Sequence, residues 1–217
     1  MASISKRDCT IYLVRHVETK WNVRHRLQGH GDSPITRRGR RQARKMGRQF
    51  KHIHFDAVYS SDLLRAHRTA KIIAREKKLA VQTSEALRER HFGKHEGKTF
   101  EVFNEEFKEA FRRYYQEVSE EERRTFILDN QVETDDKLIN RFITFLRQVA
   151  LANQGKTILV VSHGGTIRAF LIHTGFAKAN ELRFGAIANT CYIKVVSDGV
   201  DFFVKEATGV TLRAGSK

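Results

Sequence analysis

At 217 residues and 40% hydrophobic content, the chain is long enough for one domain with an inserted lid, and it has the apolar material for a core. Its 40 Lys and Arg against 25 Asp and Glu give a formal charge of +15, a field that attracts anions whatever the fold and leaves nucleic acid, phosphorylated metabolites and anionic surfaces open as partners. No apolar run approaches the roughly 20 residues that span a bilayer, the first eight residues lack the apolar core of a secretory leader, and two cysteines cannot form a disulfide framework. The expectation is a cytoplasmic protein with reduced, partly buried Cys9 and Cys191 and no membrane partner.

In chain order, Thr10-Ile11-Tyr12-Leu13-Val14 reads as a strand that stops at Arg15-His16. Residues 22–36 read as a loop. Thr36 is a candidate N-cap, and Ala43, Met46, Gly47 and Phe50 follow at helical spacing. The basic run Arg37-Arg38-Gly39-Arg40-Arg41-Gln42-Ala43-Arg44-Lys45 puts its cations opposite that stripe, so it reads as a solvated helix face, and nucleic acid is not expected as a partner. Asp56–Tyr59 is a short strand. Ser60-Ser61-Asp62 is then predicted to cap a helix with Ala66, Ala70 and Ile73 on one face, and Val81–Leu87 is a third strand.

Residues 97–134 differ in character. Phe103, Phe107 and Phe111 recur every four residues among dense charges, which predicts an amphipathic helical lid seated on the body, and Ser119-Glu120-Glu121-Glu122 opens a further helix. Leu138–Ala152 is predicted helical, with Phe142, Phe145 or Leu146, and Val149 inward. Thr157–Val161 is a strand ending in Ser162-His163-Gly164-Gly165, and Asp198-Gly199 marks a hairpin between 190–196 and 201–205. The class is α/β: a three-layer sandwich with a mostly parallel central sheet, helices on both faces and a helical lid insertion, forming one domain over 1–217.

Two strands that each deliver a histidine to the ligand-binding edge of a sheet point to one phosphate-handling centre. Arginine recognises phosphate through two parallel N–H bonds, and histidine serves as nucleophile or proton carrier. His91/His95 and His52/His54 have spacings compatible with metal ligation. Gly93 interrupts any helix between the first two and no third ligand completes a site, so no metal is expected.

The pieces Arg15-His16-Val17-Glu18-Thr19, Trp21-Asn22, Arg26 with Gln28-Gly29, Ser61-Asp62-Leu63-Leu64-Arg65-Ala66, Leu87-Arg88-Glu89, Glu96-Gly97 and Ser162-His163-Gly164-Gly165 occur in an order that resembles the histidine phosphatase superfamily, the phosphoglycerate mutase-like family. The resemblance implies that His16 attacks phosphorus. It implies that Arg15, Arg65 and His163 hold the phosphoryl oxygens with help from Asn22, and that Glu89 carries the proton, with Glu85 and Glu18 as the next candidates. Attack needs a neutral imidazole whose other nitrogen donates to a backbone carbonyl. Gln28, Gly29, Arg90 and Gly164 would line the substrate. Val17, where the family more often has glycine, adds bulk beside the nucleophile and is expected to trim the pocket.

The resemblance implies a phosphomonoesterase for a small anionic metabolite, needing no cofactor and acting as monomer or homodimer. A cofactor-dependent phosphoglycerate mutase using the same centre is the alternative. A noncatalytic anion- or RNA-binding relative comes third, since every catalytic position is filled. Against the mutase, Arg90-His91-Phe92-Gly93 lacks the tyrosine hydroxyl of that branch, and Phe100 stands where the mutases carry lysine, although Lys98 is close. For it, Arg112-Arg113 resembles their arginine pair.

Overall fold

The computed structural model describes residues 7–213. Six strands, β1 (Cys9–Arg15), β2 (Ala57–Ser61), β3 (Val81–Ser84), β4 (Thr157–Ser162), β5 (Ile187–Ser197) and β6 (Phe202–Val210), form one sheet in the order β3-β2-β4-β1-β5-β6. β1 to β4 run parallel, and β5 and β6 add an antiparallel edge. The helices are α1 (Lys20–Val23), α2 (Arg37–Gln49), α3 (Leu64–Ala74), α4 (Phe100–Glu106), α5 (Lys108–Gln116), α6 (Glu120–Thr125), α7 (Asp135–Ala152) and α8 (Gly164–His173).

The alternation of β1 sends Ile11 and Leu13 to one face and Tyr12 and Val14 to the other. The first pair joins Leu138, Phe142, Leu146 and Phe170 beneath α7 and α8. The second joins Met46, Phe50, Ala66, Ala70 and Ile73 beneath α2 and α3. Helices therefore cover both faces, and Leu146 rather than Phe145 is fully inward, at 1% exposure. The chain leaves β1 through α2 toward one side of the sheet and leaves β4 through α8 toward the other. The crevice at the carboxyl ends of these neighbouring strands is the topological switch point.

Local chemistry explains where the chain departs from expectation. Thr36 Oγ1 accepts from Gly39 N as predicted, and Ser119 with Glu122 forms a reciprocal cap on α6. Asp62 does not cap α3. Its carboxylate is taken by Arg88, and the free amide of Leu64 is bonded instead by Asp32. The third strand stops at Ser84, because the Ser84 hydroxyl accepts from Ala86 N and turns Glu85–Leu87 into a 3₁₀ turn. The phenylalanine stripe is broken at Phe107 into α4 and α5. It still seats the lid as expected: Phe103, Phe107 and Phe111 pack with Leu27, Phe92 and Val132.

Leu146 tests the core beneath α7. Leu146→Ala should lower unfolding free energy by about 2–5 kcal/mol in denaturant titration, with folded-state activity retained.

Candidate active site

β1 and β4 are paired so that Arg15 lies opposite Ser162, and His16 N donates to Ser162 O at 2.9 Å. His16 and His163, each one residue further on, come side by side with ring centroids 5.2 Å apart. His16 Nδ1 lies 2.8 Å from Val17 O. A carbonyl can only accept, so Nδ1 carries the hydrogen and Nε2 keeps its lone pair. Burial first, then the Arg65 and Arg15 charges, hold His16 far below its ordinary value of 6.5 despite the Val17 bond. His163 is held low by burial, Arg65, His16 and Arg15. Both rings are neutral at pH 7.

Around these rings the donors exceed the acceptors. Eight buried side-chain polar atoms among the described residues have no hydrogen-bond partner, and four of them are Arg15 Nε, Arg65 Nε and both nitrogens of His163. Buried donors are nearly always paired, so this clustering marks a place built for an anion. Arg15 gives one N–H to Ile187 O, and Gly164 lets it lie flat on the start of α8, since a Cβ there would meet Arg15 Nε at 3.0 Å.

Arg65, in the first turn of α3, is aimed from the opposite side. It donates to Gly29 O at 2.6 Å and Gly31 O at 2.8 Å, and pairs with Asp32 at 3.1 Å. Those carbonyls are themselves positioned by Glu96, whose carboxylate accepts from His30 N at 2.9 Å and Gly31 N at 2.6 Å. Gly29 is required: its φ is +53°, and a Cβ would meet Glu96 Oε1 at 2.2 Å.

Glu89 follows the 3₁₀ turn and reaches the N-terminus of α8. Its Oε1 accepts from Arg90 N and Thr166 N, while Oε2 accepts from Gly165 N at 2.8 Å, and the Thr166 hydroxyl donates to Arg88 O at 2.9 Å. A Cβ on residue 165 would sit 2.6 Å from Oε1, which is why two glycines follow His163. Arg15, His16, Asn22, Gln28, Gly29, Arg65, Glu89 and Gly164 line one cavity, and His163 lies beside His16.

Arg90 is not among them. Its guanidinium is buried against Asp135 and Glu133 O, so the counter-charge it needs comes from α7 rather than from a ligand. Val17 does not trim the pocket either, because its side chain turns away to pack with Ile35, Ala43 and Ile72. Glu18 is occupied by Thr36 and Arg38, and Glu85 is mostly exposed beside Arg88. The spacing of His91 and His95 does not make a helical pair. His91 stands against His30, and His95 is buried against Phe103 and Phe107.

Three contributors escaped the sequence reading. Asn189 donates to His16 O at 3.0 Å. Arg141 gathers the carbonyls of Ala86, Arg88 and Glu89 at 2.8 to 3.0 Å and so fixes the Glu89 segment. Arg168 lines the cavity one helical turn past Gly164. Each lies on an element with its own packing role, and no local motif marks it.

The family model of the histidine phosphatase superfamily (branch 1) matches residues 11–208. The chain belongs to this superfamily. It is 37% identical over 161 residues to phosphoglycerate mutase-like protein 4 of Arabidopsis thaliana, covering 73% of this chain and 68% of that one. It is 32% identical over 181 residues to the uncharacterized phosphatase PhoE of Bacillus subtilis, covering 83% and 84%. Among solved structures it resembles the Entamoeba histolytica phosphoserine phosphatase in complex with 3-phosphoglyceric acid, with TM-score 0.78, 26% identity and coverage of 92% and 96%. Its mixed sheet with helices on both faces is the fold these structures share.

The depressed histidines make stability depend on pH with a definite sign. Unfolded histidines protonate near 6.5, whereas the buried folded ones resist, so this contribution is complete above about pH 6.5 and is lost as pH falls below it. Melting temperature should therefore drop from pH 7 to pH 5, and His163→Asn should shallow that slope. An unchanged slope would mean His163 is freely protonated in the fold. For the pocket's second layer, Glu96→Gln should lower kcat/KM about tenfold or more by loosening the loop that aims Arg65, while thermal stability falls little.

Proposed function

We propose that this protein is a metal-independent phosphomonoesterase that hydrolyses a small anionic phosphorylated metabolite through a phosphohistidine on His16. The observation that carries the reading is the neutral His16 ring, with Nδ1 tied to Val17 O and Nε2 free, set among the unsatisfied donors of Arg15, Arg65 and His163. Arginine forks and a neutral imidazole donor suit the equatorial oxygens of a phosphoryl group, and phosphoryl transfer is chiefly positioning and charge stabilisation. Relatives named as phosphatases agree with this assignment.

In the first step the Nε2 lone pair of His16 bonds to phosphorus as the phosphorus–oxygen ester bond breaks. The leaving oxygen takes a proton from Glu89 and departs as an alcohol. The positive charge on the phosphorylated ring is shared with the Val17 carbonyl through Nδ1–H. In the second step water attacks phosphorus, Glu89 takes its proton, and the nitrogen–phosphorus electron pair returns to His16, releasing inorganic phosphate. Oε2 is the proton carrier, because it accepts one backbone bond where Oε1 accepts two, and so keeps a lone pair for the pocket.

The mutase reading uses the same first step and returns the phosphoryl group to substrate. The side chains proposed for it are otherwise engaged. Lys98 is held by Glu106 at 2.7 Å, Arg112 by Glu109 and Glu117, and Phe92 presents no hydroxyl to the cavity. Hydrolysis is therefore favoured. Phosphate release from phosphoglycerate without isomerised product would agree, and stoichiometric isomerisation would select the mutase.

His16→Ala should abolish turnover, and truncating Arg65 or His163 should cost roughly 3–4 kcal/mol of transition-state stabilisation each. Substantial activity in His16→Ala would remove the proposal. Glu89→Gln should slow phosphoenzyme formation strongly with alkyl phosphates and far less with p-nitrophenyl phosphate, whose leaving group needs little protonation. Equal losses in single turnovers would shift the acid to another carboxylate.

A further inference from the structure

The catalytic cavity leaves most of the chain's positive charge unexplained. Residues 35–80 contain fourteen of the 40 Lys and Arg but only Asp56, Asp62 and Glu76 of the 25 acids, so this fifth of the chain carries +11 of the net +15. Arg65 is buried in the catalytic cavity, but ten of the fourteen cations lie exposed on α2, α3 and the residue that follows α3. Every Lys and Arg of α2 is exposed, six Arg and one Lys with no acid in thirteen residues, and among the described residues only Arg38 has an ion-pair partner, Glu18. From sequence these cations form a single solvated helix face. The structure adds a second row beside them: Arg68, Lys71 and Arg75 are exposed at successive turns of α3 and its end, and none has an ion pair among the described residues.

Between the rows runs a groove lined by Arg44, Arg48, Lys71 and Arg75, with Gly47 and Ile72 completing its lining. It shares no lining residue with the catalytic cavity. Arg65 opens α3 at the catalytic edge and Arg75 follows ten residues on, about 15 Å down the helix. At physiological salt, where the Debye length is about 8 Å, the far end of this surface adds little attraction at the carboxyl ends of the strands.

The geometry points to a second binding site on α2 and α3: a surface for the phosphate backbone of double-stranded nucleic acid, engaged without base readout. Three observations select this partner. The cations are mostly arginines, whose planar forks match phosphate oxygens. They recur at turn spacing in two facing rows, which suits a repeating linear polyanion rather than one small ligand. The large exposed hydrophobics include none from α2, and the one from α3, Leu64, opens that helix at its catalytic end. Membrane-surface helices need an apolar face to bury, and single-strand binders need aromatic platforms for bases. Phosphate contacts alone leave a duplex as the partner and predict indifference to sequence and sugar. The inference is independent of the catalytic assignment.

The test is fluorescence anisotropy with duplex DNA and duplex RNA of about two helical turns. It compares the full chain with an Arg44→Gln/Arg48→Gln/Lys71→Gln/Arg75→Gln variant. The native protein should bind both duplexes within a few-fold of each other, with dissociation constants of order 10⁻⁴ to 10⁻⁶ M at physiological salt and a steep dependence on salt. Removing four phosphate contacts should weaken binding at least tenfold and reduce the slope of log affinity against log salt by about 3 to 4. Hydrolysis of p-nitrophenyl phosphate should persist in that variant, which shows it folded. If the protein proves to lack phosphatase activity, a native far-UV spectrum and melting transition serve instead, so the two assignments fail separately. Three outcomes would overturn the site: no duplex binding at about 50 mM salt, equal binding by the variant, or tighter capture of the same face by phosphatidylserine vesicles than by duplexes.

Discussion

The hydrogen bond from His16 Nδ1 to the Val17 carbonyl, 2.8 Å long and wholly buried, is the contact on which the rest of the site depends. Burial, reinforced by the charges of Arg65 and Arg15, keeps this histidine unprotonated. Neutrality alone leaves two tautomers. The backbone carbonyl of Val17 selects the one with Nε2 open. Asn189 holds the carbonyl of His16 itself, which fixes the strand end on which that geometry rests.

Burying several cations together is costly, since each loses hydration and repels the others. The fold offsets this with backbone carbonyls more than with carboxylates. Arg65 takes two carbonyls and one carboxylate, Arg15 takes the Ile187 carbonyl, and Arg168 takes that of Leu182. Carbonyl dipoles soften the charge without cancelling it, so the pocket keeps its attraction for an anion. Arg90 shows the contrast. Its direct pairing with Asp135 makes it part of the frame that joins α7 to the loop after Glu89. Unsatisfied donors and neutral histidines in a core are expensive for stability, and their concentration in one crevice is what a site under functional constraint looks like.

The strands, the main helices and the placement of His16 and His163 were legible because each rests on short-range chemistry. Apolar runs stop at Arg15-His16 and Ser162-His163, and the spacing of Ala66, Ala70 and Ile73 specifies a buried face. What was not legible depends on contacts between distant segments. Asp62 precedes a helix and reads as its cap, yet Arg88, 26 residues later, captures it while Asp32 supplies the cap. Arg90 adjoins Glu89 and reads as a substrate contact until Asp135 arrives from α7. Val17 follows His16, but its side chain packs against Ile35, Ala43 and Ile72 and so faces away from the cavity. Arg141 and Asn189 are anonymous in sequence because each acts by donating to main-chain carbonyls, which any residue type provides.

The same bond makes a regiochemical demand that can be measured directly. With Nδ1 occupied by Val17 O, phosphorus can bond only to Nε2. Protein trapped in single turnover with a phosphorylated substrate and unfolded in alkali should show, by ³¹P–¹⁵N correlation or by mass spectrometry against isomer standards, phosphorylation of His16 at Nε2. Phosphorylation at Nδ1, or on any residue other than His16, would contradict the account.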